Sequence, residues 1–255
     1  MLIKEQVMPR MNVLGLLIAL LAMAMSANAV ESTAKAGAVT DEQREADKKA
    51  LAPLKGFVGE WKGVGGGRGD GPKDSWGEES DWGYDFKNGR PAVSFTSANG
   101  HYYTAGRIEP AEKSGAFHFI GTLPGGKAKE EFSGEVNKDG DLVLINDAAG
   151  AGRPTRLTLS LVAKGARLVT TYEKSMRKGV YAPMAEVGLT LKGSGFGKAI
   201  DIRECVVTGG RGKTAVQYKG QTYYVCCGGC LDEFNENPDK VMASWKKRKE
   251  EDMKK

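Results

Sequence analysis

From Glu60 to about Lys192 the chain reads as an unbroken series of strand candidates, at 60–66, 78–86, 91–97, 101–109, 115–123, 128–137, 141–146, 154–161, 166–175 and 181–192. Several alternate apolar and polar residues with period two, as in Leu157-Thr158-Leu159-Ser160-Leu161. That spacing sends one set of side chains to a core and the other outward. Asn88-Gly89, Asp139-Gly140 and Lys164-Gly165 supply turn signals between runs. No helix-length segment interrupts the series. Sequential antiparallel strands on short turns must hide their edges, and an up-and-down barrel does so by closing on itself. The expected fold class is therefore mainly β, with an antiparallel up-and-down barrel of about ten strands over residues 51–192.

The start of the barrel region carries Leu54-Lys55-Gly56-Phe57-Val58-Gly59-Glu60-Trp61, with a Gly-x-Trp at the first strand. This resembles the opening of lipocalin-like (calycin) barrels. The resemblance implies that Trp61 plugs one end, and it makes a small apolar ligand or haem a candidate occupant. In some calycin-like barrels a single histidine binds haem iron, so His101 and His118, the only two histidines, are candidates. A lone histidine is more often an ordinary surface or core residue. His118 alternates with Phe117 and Phe119 and should face away from both rings.

The chain opens with Lys4 and Arg10 ahead of an apolar run from Val13 to Met25, followed by Ala27-Asn28-Ala29. This is the pattern of a secretory signal peptide, 1–29, cut after Ala29. The run is short for a membrane span, which leaves an uncleaved anchor as the bland alternative. No cysteine follows it closely, which argues against a lipid anchor. Residues 30–50 read as a flexible leader that becomes helical from about 41, where Thr40 or Asp41 supplies a cap and Pro53 a stop. The formal charge is +5 for 255 residues. Removing Lys4, Arg10 and Glu5 with the signal leaves a mildly basic chain with mixed signs. Lys246-Lys247-Arg248-Lys249 is followed at once by Glu250, Glu251 and Asp252, so it reads as a solvated helix end and not as a nucleic-acid surface. Export implies a periplasmic or extracellular location, where disulfides are permitted.

Gly193-Ser194-Gly195-Phe196-Gly197 marks a linker, 193–200, and a small domain follows at 201–255. Within it Thr214–Tyr218 and Gln221–Val225 alternate around Lys219-Gly220 and predict a β-hairpin. Leu231–Asn237 predicts a short helix, and Pro238 starts another. All four cysteines of the chain, Cys205, Cys226, Cys227 and Cys230, lie here. Thiolates are soft donors, and a group of them at short spacing suits Zn²⁺ or Cu⁺. Two disulfides are the alternative, although Cys226 and Cys227 are adjacent and pair with each other only under strain.

Cys205-x20-Cys226-x3-Cys230, with Tyr218-Lys219-Gly220, Tyr223-Tyr224-Val225, Phe234 and Pro238 around it, resembles the TRASH/YHS-type metal-binding domain. The resemblance implies a small ββα, treble-clef-like finger, metal ligation by Cys205, Cys226 and Cys230, and a role in heavy-metal binding, sensing, trafficking or resistance. A strand ending at Cys226 and a helix opening at Cys230 would bring two thiolates to one point, and the helix N-terminus favours their charge. Related ribosomal fingers carry another cysteine three positions after the first; here that residue is Thr208. Cys227 is then either a fourth ligand, or it points away and leaves a position for water or a partner thiol.

The remaining motifs are weak. Gly65–Gly71 lacks the Gly-Lys-Ser/Thr ending of a phosphate loop and reads as a flexible loop. Glu78-Glu79 and Glu130-Glu131 are adjacent pairs that a strand splits between faces. No enzyme is expected. The expectation is an exported metal-binding protein; the alternative is a carrier barrel with the finger as a structural or protein-docking module.

Overall fold

The computed structural model of the chain describes residues 39–67, 74–194 and 203–254. The export segment, most of the leader, Arg68–Gly71 and most of the Gly-rich linker lie outside the described residues. Ten antiparallel strands run β1 (Gly59–Gly67), β2 (Ser75–Asp85), β3 (Ala92–Ser97), β4 (Ala105–Pro110), β5 (Ala116–Thr122), β6 (Lys129–Val136), β7 (Leu142–Ile145), β8 (Arg156–Val162), β9 (Arg167–Arg177) and β10 (Val180–Leu191). Each pairs with its sequence neighbours, and β1 pairs with β10 to close the barrel. The predicted strand order and number are those observed. The largest boundary difference is at β4, expected from 101 and beginning at Ala105. Residues 101–104 are taken by the return from β3, where the Ser97 N–H donates to the Thr104 carbonyl at 2.7 Å.

The closing seam depends on small residues. It runs from Trp61 opposite Leu191 to Gly67 opposite Ala185. A Cβ on Gly63 would lie 2.0 Å from the Gly188 carbonyl oxygen, so a side chain there would push the seam apart. Inside, alternation works as the sequence predicts: Leu157 and Leu159 are buried while Thr158 and Ser160 are more open. Phe95 stacks on Trp82 at 4.4 Å, and Tyr103 meets Phe119 edge-on at 5.5 Å. These side chains fill most of the interior. The cavity they leave is about 30 Å³, room for a water or two.

Trp61 is fully buried at one end, and its indole N–H donates to the Phe57 carbonyl at 2.8 Å. A 3₁₀ turn over Ala52–Gly56 carries Pro53 and lies beneath that end. It follows helix α1 (Asp41–Ala50), capped by Thr40, whose hydroxyl accepts the Gln43 N–H at 3.1 Å. The sequence reading made this helix part of a leader; in the structure it is docked. Arg90 of the β2–β3 turn grips Asp47 with two hydrogen bonds of 2.6 and 2.8 Å, and Arg44 donates to the Phe86 carbonyl.

The C-terminal part holds β11 (Arg203–Glu204), β12 (Arg211–Gly212), β13 (Thr214–Tyr218), β14 (Gln221–Val225), α2 (Gly228–Glu236) and α3 (Pro238–Met253). The predicted hairpin is present, with Lys219 and Gly220 both at positive φ in its turn. This finger sits on the Trp61 end of the barrel. The Arg211 guanidinium passes over the Trp61 ring at 5.7 Å and donates to the carbonyls of Gly56 and Gly165. Residues from Val39 onward form one compact unit. Among the described residues no helix is long and apolar enough to cross a membrane.

Candidate metal centre

The three sulfurs of Cys205, Cys226 and Cys230 lie within 4.8 Å of one another, and all three residues are buried. Each comes from a different local structure. Cys205 follows β11, where its backbone makes a parallel bridge to Tyr224. The loop beyond it turns back on itself: the Gly209 N–H donates to the Cys205 carbonyl, and the Cys205 N–H to the Gly210 carbonyl, both at 2.8 Å. Cys226 leaves the end of β14. Cys230 lies in the first turn of α2.

The helix begins earlier than the sequence predicts, at Gly228 and not at Leu231, so Cys230 is its third residue. The cause is packing. A Cβ on Gly229 would lie 1.9 Å from the Tyr84 carbonyl oxygen, so glycine lets the first turn form flat against β2. Cys227, in extended conformation, occupies the N-cap position.

The Cys226 and Cys230 sulfurs are 3.4 Å apart. A tetrahedral ion with sulfur at about 2.3 Å sets edges of about 3.8 Å, so this group needs only small side-chain adjustment to hold one. None of the four cysteines is in a disulfide in this structure. Thr208, at the place where related ribosomal fingers carry cysteine, does reach the cluster: its hydroxyl lies 3.6 Å from the Cys226 sulfur. The fourth corner therefore carries an alcohol, a poor soft-metal donor but a good hydrogen-bond partner for a thiolate.

Cys227 sits at the edge of this group. Its sulfur is 3.7 Å from that of Cys226, but it accepts the Tyr84 backbone N–H at 3.2 Å. It rests over Gly83, where even a Cβ would meet the Cys227 sulfur at an ordinary contact distance of 3.7 Å. Electrostatics divides the thiols in two. Hydrogen bonds from Cys226 and Cys230 hold the Cys205 thiol far below its ordinary value, and the same two neighbours depress Cys227. Donation to Cys205 and Cys227 pushes Cys226 up, and burial pushes Cys230 up.

Two supporting residues had no sequence signal. Arg248 belongs to the basic run that reads as a solvated helix end. In the structure its guanidinium donates to the carbonyls of Cys205, Val206 and Val207 at 3.1–3.3 Å, clamping the Cys205 loop to α3. Its neighbour Lys249 pairs with Glu204. Tyr84 is the other. Its hydroxyl is buried and has no hydrogen-bond partner among the described residues, and burial, then the charges of all four cysteines, push its ionisation up. The alternating pattern of β2 marks Tyr84 as inward-facing, but nothing local places it beside cysteines far along the chain.

The histidines lie elsewhere. His118 is on the outer face of β5, 3.3 Å from Glu131, and His101 stacks on Trp76 at 4.2 Å at the barrel's other end. Glu130 faces Arg153 and Tyr103, and Glu78 accepts from the Trp76 indole, so neither glutamate pair forms a dyad.

No protein-family model and no curated protein matches the sequence. Among solved structures, the crystal structure of Rv2717c from M. tuberculosis is similar at 18% identity, over 56% of this chain and 97% of that one, with a TM-score of 0.39. That likeness is too loose to carry an argument about function.

Proposed function

We propose that this chain is an exported binding protein for a soft metal ion, Zn²⁺ or Cu⁺, serving heavy-metal capture, trafficking or sensing through a TRASH/YHS-like finger. One observation carries the reading: three buried thiols from three separate segments converge within 4.8 Å. Thiols are among the most buried side chains, but three meeting sulfur to sulfur forgo apolar packing, and a shared soft ion accounts for that arrangement. Cys205, Cys226 and Cys230 are the ligands of this proposal, and Thr208 orients them.

The barrel serves as scaffold in this reading. An interior cavity of about 30 Å³ compares with roughly 300–1,000 Å³ for small-molecule pockets. His118 on the outer wall has no access to that interior. A second reading, a metal-stapled docking module with a permanent ion, is favoured by the close seat of Gly229 on β2 and by the 2.7 Å ion pair of Lys213 with Glu60.

Elemental analysis of reduced protein exposed to Zn²⁺ or Cu⁺ tests the proposal. The wild type is expected to retain one ion per chain, and Cys205→Ser and Cys226→Ser to retain none. A folded, metal-free wild type, or four cysteines recovered in disulfides, would sink it. Rapid transfer of the ion to a chelator favours trafficking; retention over days favours the permanent staple.

A further inference from the structure

A cleft of about 290 Å³ lies between the outer wall of the barrel and the finger. Its floor is Cys227 with Gly228 and Gly229, and Ser94, Thr96 and Lys213 are among its walls. Cys227 is the one cysteine of the four that lines it. Exposure follows the same division: 8% for Cys227, against 0% for Cys205 and Cys230 and 2% for Cys226. Cys227 is thus the cysteine that meets the cleft. From there Cys226 is 3.7 Å away, and an ion with sulfur bonds of about 2.3 Å spans both atoms without backbone movement.

We infer that Cys227 is the receiving ligand of a metal relay: the cleft admits a soft metal ion carried by a small anionic thiol, and Cys227 passes it to Cys205, Cys226 and Cys230. This rests on the metal-binding reading above. The size of the cleft fits a small molecule and not a protein domain. Its chemistry fits an anionic carrier. Lys213 supplies a cation, and the first N–H groups of α2 face the same space. Asp81 stands on the wall as the one opposing charge, and Lys213 is already neutralised in part by Glu60. Hydroxyls of Ser94, Thr96 and Thr214 complete a polar lining. Tyr84, whose buried hydroxyl is unpaired among the described residues, also lines the cleft.

The steps are ligand exchanges with no change of oxidation state. Cys227 gives up its thiol proton and forms a sulfur–metal bond; the carrier's sulfur–metal bond breaks, and its thiolate leaves with the proton. Cys226, Cys205 and Cys230 then replace Cys227 on the ion; of the three protons they release, one returns to the Cys227 sulfur and two go to solvent water. The Tyr84 N–H holds the Cys227 sulfur at the cleft.

The full-length, reduced, metal-free protein is mixed with Zn²⁺ held by the amino acid cysteine, and bound zinc is followed over time by desalting and elemental analysis. Two variants accompany it: Cys227→Ser, and Thr96→Trp, which narrows the cleft without touching a sulfur. The expected result is equal final zinc in all three and loss of the fast phase of loading in both variants. In the metal-free wild type, iodoacetamide should label Cys227 before the other cysteines, and Thr96→Trp should lose that preference. Wild-type loading rate in a folded Cys227→Ser overturns the relay alone. So does loss of final zinc in that variant, which would make Cys227 a resident fourth ligand, and so does alkylation of Cys226 ahead of Cys227. A wild type that takes up no zinc overturns the metal reading itself.

Discussion

The barrel and the finger keep themselves folded by different means. In the barrel every strand has two neighbours, the sheet has no edge, and rings and leucines fill the middle. The finger has only two-stranded pieces and two helices, and at its centre four thiols stand where a domain of that size would place apolar side chains. A core of Val216, Val225, Phe234, Val241 and Met242 surrounds them but is small. The barrel is therefore built to be stable whatever the finger holds, whereas the finger has a small core of its own and leans on the barrel wall. If the proposed ion binds, the finger is the part whose stability should depend on it.

The sharpest way to break this comparison is to remove a ligand. Cys230→Ser should abolish metal retention, forgoing binding that contributes about 10–16 kcal/mol in small zinc domains. Amide exchange should then accelerate across the finger while barrel amides stay protected; equal loss in both would show that they are one cooperative unit. The converse change is Trp61→Ala, expected to destabilise the barrel by about 3–5 kcal/mol in denaturant unfolding. Metal per folded chain should be unchanged.

Gly229→Ala addresses the joint. Its Cβ would strike the Tyr84 carbonyl, and overpacking of this kind costs about 1–3 kcal/mol. The finger should loosen from the barrel, seen as faster proteolysis of the linker region, with metal still bound.

The most local effect concerns the docked N-terminal helix. Burial alone would raise the Asp47 carboxyl, but hydrogen bonds from Arg90 and Gln43 outweigh it and hold it below its ordinary value. A depressed carboxyl contributes stability that is complete above its unfolded value of about 3.9 and is lost as pH falls through the lower folded value. Asp47→Asn should cost about 1.5–3 kcal/mol at neutral pH, the range for hydrogen bonds to charged groups. The difference from wild type should shrink in acid. A difference independent of pH would show that packing, not the ion pair, holds the helix.

Much of this architecture was legible along the chain. Period-two alternation and Gly-containing turns located all ten strands, because each depends on residues a few positions apart. Lys219-Gly220 marked the hairpin for the same reason, and Thr40 and Pro53 framed the first helix. The cysteine spacing picked out three residues that the fold brings together. Other features were not decided locally. Arg248 reads as one charge in a run, and only the packing of α3 against the Cys205 loop turns it into a clamp. Gly229 marks a close backbone approach in the sequence, but only the fold shows that the partner is the Tyr84 carbonyl.

The sequence by itself thus determined the strand order, the finger's hairpin and the three cysteines that the fold brings together, since these follow from short-range pattern and spacing. Tertiary structure alone decided that the barrel is filled and that α1 is docked. It also decided that Cys227, beside the Cys226 sulfur, is the cysteine that lines a cleft. These depend on side-chain volumes and backbone groups separated by tens to hundreds of residues. Tyr84 and Cys227, 143 positions apart, meet only because the barrel wall holds one N–H where the finger sets its N-cap sulfur.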